Sequence, residues 1–149
     1  VNKTQMYCAA ATNTPASKVV VRMKRMGGGF GGKETRSVPV SCAAAVASKI
    51  SNKPVKLTLS RDVDMTITGG RHAFLAKYEA SAVVKKGTND VKFCSLNVEL
   101  FSNGGSAADL SGPVMDRALF HLDNCYYWPI FDAIGRPCLT SQAPHTAFR

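Results

Sequence analysis

The run GGGFGGKETR, residues 27–36, governs the interpretation of this chain, because five glycines surround one phenylalanine and a glutamate directly follows a lysine. Glycine has no Cβ, so such a loop can adopt positive φ, and its backbone N–H groups can converge on an anion or an oxo ligand. Residues 19–24 before it are rich in β-branched side chains and predict a strand, and residues 42–47 after it predict a buried helix. A strand, a glycine loop and a helix in this order are typical of an anionic cofactor site at a helix N-terminus.

Two nucleotide-binding motifs match part of this loop, and both fail where their chemistry needs a particular side chain. Gly27, Gly29 and Gly32 fit the dinucleotide fingerprint G-x-G-x-x-G, but no Asp or Glu occurs between Glu34 and Asp62 to bind a ribose hydroxyl. The same run fits the start of a phosphate-binding P-loop, yet a glutamate replaces the Ser or Thr that would bind magnesium. A purely structural glycine turn remains an alternative, although five glycines are entropically costly for a turn without a function.

The glycine run resembles the molybdenum-cofactor loop of the xanthine dehydrogenase and xanthine oxidase family, the molybdenum hydroxylases. Three further stretches match the family in its own order: residues 64–72 (DMTITGGRH), 116–126 (DRALFHLDNCY) and 146–149 (TAFR). The likeness is weakest in residues 1–17 and 132–145. It implies that residues 1–149 are a piece of the large molybdenum-cofactor-binding domain of a multidomain enzyme, with no complete domain boundary inside. Family members carry 2Fe-2S and FAD centres in other parts, so we expect this chain to be a fragment. Because the family's general base is absent and the core is truncated, we expect the fragment alone to be inactive.

The resemblance also assigns roles to individual residues of the loop and of the last stretch. Gly29, Phe30, Gly31 and Arg149 would bind the molybdopterin cofactor, and Phe30, through its backbone, and Arg149 would lie at the molybdenum itself. Glu34 would be catalytic and substrate-binding, because its carboxylate would hydrogen-bond the purine and orient it. From the residues alone, two simpler interpretations stay open. Phe30 could be an aromatic plug that packs the loop onto a sheet, and Glu34 a helix-terminal acid favoured by the helix dipole.

Arg117 is the second catalytic and substrate-binding residue that the resemblance implies. Attack of a hydroxide delivered at molybdenum pushes negative charge into the purine ring, and a fixed guanidinium stabilises that charge. The simpler interpretation is a surface arginine paired with Asp109 or Asp116. Arg71 and His72 either line the pterin or brace the loop. The family's general base and its stacking aromatic residues lie outside this chain.

The implied reaction is oxidation of hypoxanthine and xanthine to urate, a step of purine catabolism, with electrons passed through iron–sulfur and flavin centres to NAD or oxygen. Aldehyde oxidase, the sister branch of the family, generally lacks the carboxylate and the arginine that match Glu34 and Arg117. A non-catalytic binding module with a structural glycine loop is the alternative from another functional class. The family further implies a homodimeric parent enzyme and a cytoplasmic location, with peroxisomes as the alternative.

The excess of basic residues does not predict a nucleic-acid or membrane partner. The chain has 19 Lys and Arg against 10 Asp and Glu, a net charge of +9, but these residues are scattered along it. The densest cluster, Arg22, Lys24 and Arg25, has no interleaved aromatic side chains on which bases could stack. No run of about 18 apolar residues occurs that could span a bilayer.

The five cysteines, at positions 8, 42, 94, 125 and 138, form neither a metal-binding spacing nor a disulfide framework. An odd number without a framework favours a reducing compartment. Cys42 and Cys94 lie among apolar residues, and we expect them to be small core hydrophobes.

The pattern of segments predicts an α+β fold with mixed strands and helices. Strands are predicted at residues 18–25 and 55–59, helices at 37–51 and 113–123, and an irregular loop at 61–72. Residues 74–84 and 91–101 alternate like the two arms of a hairpin, with a turn at 85–90 and a break at 103–106. Residues 4–11 could form the end of a helix, and residues 126–130 are expected to be extended.

Overall fold

Four α-helices, one short 3₁₀ helix and three β-strands form the part of the chain that the computed structural model describes, residues 1–88 and 90–148. The helices are α1 (Asn2–Ala11), α2 (Val38–Ser51), α3 (Arg61–Thr68) and α4 (Ser111–Phe120), and the 3₁₀ helix is Ala16–Lys18. The strands are β1 (Phe74–Val84), β2 (Val91–Gly105) and β3 (Ile130–Leu139). The predicted α+β class is confirmed. Residues 1–70, with Ala147 and Phe148, form one unit, and residues 71–146 form a second.

In the first unit, α1 and α2 pack against each other. The predicted second helix is confirmed within one residue of its start, and Pro39 lies in its first turn, where a missing N–H costs nothing. Helix α2 ends at Ser51, and the next residue, Asn52, has a φ of 51°, the left-handed conformation that closes many helices. The Lys49 ammonium donates a hydrogen bond to the Thr12 carbonyl at the end of α1, so the C-terminal ends of the two helices are tied together.

Helix α3 replaces the irregular loop that the sequence predicts at residues 61–72. Hydrogen bonds from the Ser60 hydroxyl, and then from the Val63 backbone, hold the pKa of Asp62 below its usual range. Asp62 is therefore an anion in the first turn of α3, where the helix dipole favours negative charge. The charges of this first turn stabilise α3, although the composition of residues 61–72 predicts a loop.

The two strands predicted at residues 18–25 and 55–59 are wrong. Within the described residues the sheet contains β1, β2 and β3 only, and neither segment pairs with it. A β-branched stretch becomes a strand only where a neighbour satisfies its backbone hydrogen bonds. Both segments are irregular and mostly exposed instead, apart from Lys18, which ends the short 3₁₀ helix.

In the second unit, the predicted hairpin of β1 and β2 is confirmed. The two strands are antiparallel, with Phe74 opposite Ser102 and Val84 opposite Val91. Their turn includes Asn89, which lies outside the described residues. Strand β2 continues to Gly105, beyond the break predicted at residue 103, because its end pairs with β3. Strand β3, which the sequence did not predict, pairs with β2 in parallel and completes a sheet of order β1-β2-β3.

Helix α4 covers one face of β2 and β3 and forms the core of this unit. The buried side chains are Val98 and Leu100 of β2 and Met115 of α4. Partly buried apolar side chains surround them: Leu96, Ala118, Leu119 and Leu122. Full burial of a side chain such as Met115 stabilises a fold by about 1.5–3 kcal/mol. The predicted helix at 113–123 is thus confirmed, although it begins at Ser111 and ends at Phe120.

The described helices are short, and the longest, α2, has 14 residues. None of them combines the length and the apolar character that a membrane span requires.

Gly135 of β3 provides a test of this packing. A Cβ at this position would lie 2.6 Å from Met115 Cγ and 2.9 Å from Leu119 Cδ1, and Met115 is only 3% exposed, so it cannot swing aside. We expect Gly135→Ala to lower the free energy of unfolding by about 1–3 kcal/mol, as overpacked cores do. Urea denaturation followed by circular dichroism measures the effect.

Gly112 of α4 is the matched control, because a Cβ there meets no atom within 4 Å. We expect Gly112→Ala to raise the free energy of unfolding by about 0.4–1 kcal/mol, since it removes conformational freedom from the unfolded chain. Equal effects of the two substitutions would show that α4 does not pack on β3 as described.

Candidate functional site

The glycine loop adopts a backbone that ordinary residues avoid. Three of its four central residues have positive φ: Gly28 at 116°, Phe30 at 49° and Gly31 at 83°. Glycine adopts such angles freely, but a phenylalanine with positive φ is uncommon and costs energy. Strain of this kind is concentrated at functional sites.

Backbone hydrogen bonds within the loop close it, and two of its backbone N–H groups remain without acceptors among the described residues. The Gly32 N–H donates to the Gly29 carbonyl at 2.9 Å, and the Glu34 N–H donates to the Gly31 carbonyl at 3.4 Å. Within the described part of the chain, the N–H groups of Phe30 and Gly31 donate to no acceptor. Two adjacent donors therefore remain available at the tip of the loop.

The last described residues, Ala147 and Phe148, lie directly against this loop. A Cβ on Gly31 would collide with the Ala147 carbonyl oxygen, and a Cβ on Gly32 would collide with the Phe148 ring. The fold thus brings Ala147 and Phe148 against the glycine loop, and only glycine at positions 31 and 32 allows this approach. Arg149, which the sequence assigns to cofactor and molybdenum, lies outside the described residues.

The Phe30 side chain does not pack the loop onto a sheet, so the interpretation of this residue as an aromatic plug is wrong. Its side chain is 71% exposed. The loop therefore constrains the backbone of Phe30, through its positive φ, and leaves the ring in solvent.

Glu34 is held by Lys3 of α1, a contact that the sequence did not reveal. Lys3 Nζ lies 2.9 Å from Glu34 Oε1, and the two side chains are 52% and 50% exposed. An exposed pair of this kind contributes about 0–1 kcal/mol to stability, so its main effect is to orient the carboxylate. Glu34 precedes α2 by four positions and does not lie in its first turn, which removes the interpretation of Glu34 as a helix-terminal acid.

Arg36 closes the loop segment by binding the end of α3. Its Nε donates to the Thr68 carbonyl at 3.1 Å, and its Nη2 donates to the Ile67 carbonyl at 2.8 Å. A cation is favourable at the carbonyl end of a helix. The loop is therefore anchored on α3 at one end and, through Glu34, on α1.

Arg117 lies in the second unit, so its position relative to Glu34 is not described. It belongs to the last turn of α4, and its side chain is exposed. Within the described residues it forms no ion pair or hydrogen bond, and the proposed pairing with Asp109 or Asp116 is absent there. The guanidinium is consequently free to meet a ligand.

His72 braces the second unit internally. Its Nε2 lies 2.7 Å from the Ser111 hydroxyl, at the first residue of α4. Burial, and then the nearby His145, lower the pKa of His72, so the ring is neutral near pH 7. Arg71 is exposed. These contacts give His72 a structural role within the second unit, and its place beside the pterin stays a prediction.

Side-chain ligands for a metal ion do not converge in the described part of the chain. No group of three or more His, Cys, Asp or Glu residues is placed there to bind one. A metal at this loop would have to be carried by another group and held through backbone donors.

Comparison with known proteins agrees with the motifs. Residues 1–149 match the model of the molybdopterin cofactor-binding domain. The xanthine dehydrogenase/oxidase of Rattus norvegicus is 52% identical over 147 residues, which cover 99% of this chain and 11% of the rat protein. Xanthine dehydrogenase 1 of Arabidopsis thaliana is 49% identical over 147 residues, 99% of this chain and 10% of the plant protein.

These two relatives come from an animal and a plant, and the match to each extends across almost all of this chain. The chain spans about a tenth of the length of each relative. The resemblance inferred from the glycine run and the three later stretches is therefore confirmed, and the chain belongs to the molybdopterin cofactor-binding domain family.

Proposed function

We propose that this chain forms part of the cofactor and substrate site of a molybdenum hydroxylase that oxidises hypoxanthine and xanthine to urate. The observation that carries the proposal is the position of Glu34. This carboxylate lies two positions after the last glycine of the loop and is oriented by Lys3. The similarity to proteins named xanthine dehydrogenase supports the same substrate class.

The residues of the loop fit a molybdopterin cofactor. The N–H groups of Phe30 and Gly31 have no acceptor within the described residues, and the positive φ of both residues holds the loop in a conformation that leaves these two donors adjacent and available. Gly29, Phe30 and Gly31 would hold the cofactor, and Arg149 remains a predicted contact. When bound, the cofactor supplies the two-electron oxidation that amino-acid side chains cannot perform.

Glu34 has the task of binding and orienting the purine. A carboxylate accepts hydrogen bonds from the ring N–H groups of hypoxanthine and xanthine, and the charge makes these bonds strong. Lys3 restricts the rotation of this carboxylate, so less entropy is lost when the substrate binds. Fixing the ring in one orientation accelerates the reaction by positioning.

Arg117 has the task of stabilising negative charge. Oxidation of a purine at carbon passes through a state in which the ring carries additional electron density. A guanidinium fixed beside the ring lowers the energy of that state more than it lowers the energy of the bound substrate. The exposed, unpaired side chain of Arg117 (within the described residues) supports this assignment.

The remaining parts of the proposal concern the whole enzyme. We propose 2Fe-2S and FAD centres beyond this chain, NAD or oxygen as the final acceptor, a homodimer and a cytoplasmic or peroxisomal location. Aldehyde oxidase and a non-catalytic binding module are the competing functions, and the presence of both Glu34 and Arg117 favours the purine enzyme over each.

If the glycine loop binds the cofactor, substitutions of its glycines should lower the molybdenum content to different extents. We expect Gly31→Ala to lower molybdenum content most, because its Cβ collides with a backbone carbonyl and its φ is 83°. Gly32→Ala should cost less, because the collision is with the Phe148 side chain, which can rotate. Mass spectrometry of the purified holoenzyme measures molybdenum per protein, and circular dichroism reports the fold.

Gly27→Ala is the matched control, since a Cβ there meets no atom within 4 Å and no positive φ is required. It should keep full molybdenum content. Wild-type molybdenum content in all three variants would contradict a role of the glycine loop in cofactor binding.

If Glu34 and Arg117 bind the substrate, their substitution should lower the turnover of purines more than the turnover of aldehydes. Arg117→Ala should lower kcat for xanthine by a factor of roughly 10²–10³, the effect of removing one preorganised charge stabiliser. Glu34→Val should cost less, because other contacts share the positioning. An aromatic aldehyde has no purine ring for these residues to bind or to stabilise. Both variants should therefore oxidise it nearly as fast as the wild-type enzyme does.

Glu79→Gln and Arg25→Met serve as controls, because both side chains are exposed and form no ion pair within the described residues. Neither should alter the ratio of xanthine to aldehyde turnover. Equal losses on both substrates in the Glu34 and Arg117 variants would assign these residues to folding or to cofactor binding.

A further inference from the structure

Two cysteines that no role above uses face each other between α1 and α2. Cys8 Sγ and Cys42 Sγ are 3.8 Å apart. Cys8 is 5% exposed, whereas Cys42 is only half-buried. The sequence indicated a small core hydrophobe at Cys42 only, and the structure places a second free thiol, Cys8, beside it.

The two thiols meet because small side chains surround them. Alanine occupies positions 9–11 of α1 and 43–45 of α2, and the distance between packed helices is set by the side chains at their contact. The Lys49 ammonium binds the Thr12 carbonyl, and the Gln5 amide donates to the carbonyls of Ala16 and Val19. The first contact ties α2 to the end of α1, and the second ties α1 to the segment that follows it.

We propose that Cys8 and Cys42 are an oxidation site that forms a reversible disulfide when the protein meets a peroxide. In the first step, the Cys42 thiolate attacks one oxygen of hydrogen peroxide, and the leaving hydroxide takes up a proton to become water. In the second step, the Cys8 thiol attacks the Cys42 sulfenic acid, and a second water leaves. Two thiols and one peroxide thus give one disulfide and two waters.

The two cysteines have unequal surroundings that suit these separate roles. A peroxide can reach the half-buried Cys42 more readily than Cys8. Burial, and then the hydrogen bond and charge of Cys42, raise the pKa of the Cys8 thiol, so Cys8 is protected from being oxidised first. A sulfur–sulfur bond is about 2.05 Å long, and side-chain rotation with a small approach of the helices would close the present gap.

The link would enclose the segment that forms the candidate site. The cysteines are 34 positions apart, and residues 27–36 lie between them. A disulfide there would restrict the unfolded chain and would fix α1, which carries the Lys3 partner of Glu34, onto α2. This inference is independent of the proposed catalytic roles.

Peptide mapping after oxidation tests the proposal. The purified full protein is treated with hydrogen peroxide, its remaining thiols are blocked with N-ethylmaleimide, and it is digested with trypsin. We expect residues 4–18 and 37–49 to appear as one linked peptide that has lost two hydrogens. Both cysteines should lose their N-ethylmaleimide label, and dithiothreitol should restore it.

Cys42→Ser and Cys8→Ser should each abolish the linked peptide, whereas Cys125→Ser should retain it, although Cys125 is exposed. Because Cys42 is half-buried, its variant tests the proposal even if Cys8→Ser fails to fold, which circular dichroism would reveal. Full labelling of Cys8 and Cys42 after peroxide has oxidised Cys125 would overturn the proposal. A sulfinic acid at Cys42 beside a labelled Cys8 would overturn it as well.

Discussion

The first unit depends on one close approach of two backbones, the Ala147 carbonyl against Gly31. Any side chain at position 31 would occupy the volume of that oxygen. The requirement is steric, and it cannot be relieved by choosing another rotamer, because both partners are main chain. It links two segments separated by more than a hundred residues, and it explains why glycine is needed at this position rather than merely tolerated.

Helix α1 supports the same loop from another direction. Lys3 reaches Glu34 near its beginning, and Thr12 accepts a hydrogen bond from Lys49 at its end. Each contact is exposed and therefore weak when taken alone. Because α1 packs on α2, Lys3 is held within reach of Glu34, and the ion pair directs the carboxylate. A substitution at the helix contact could thus disturb the loop without touching it.

Local patterns in the sequence were sufficient to predict the hairpin and α2, and in β2 the alternation of side chains reflects burial directly. They failed where the deciding partner is distant. Helix α3 is completed by Arg36, which binds the Ile67 carbonyl from 31 positions away. In β3, Gly135 and Pro137 interrupt the strand pattern, and only pairing with β2 makes the segment a strand. The glycine loop and its need for positive φ could be predicted from composition alone, whereas Lys3 gave no local signal.

The mixed sheet has a consequence for how the chain folds. Strands β1 and β2 are joined by a short turn, so their hairpin can form within microseconds. Strand β3 joins in parallel only after the long connection through α4 has closed, which is a slower event. Until then, one edge of β2 has no partner, and the apolar side chains of Val98 and Leu100 lack their helical cover. During synthesis this interval is when the chain is most exposed to aggregation through an open strand edge.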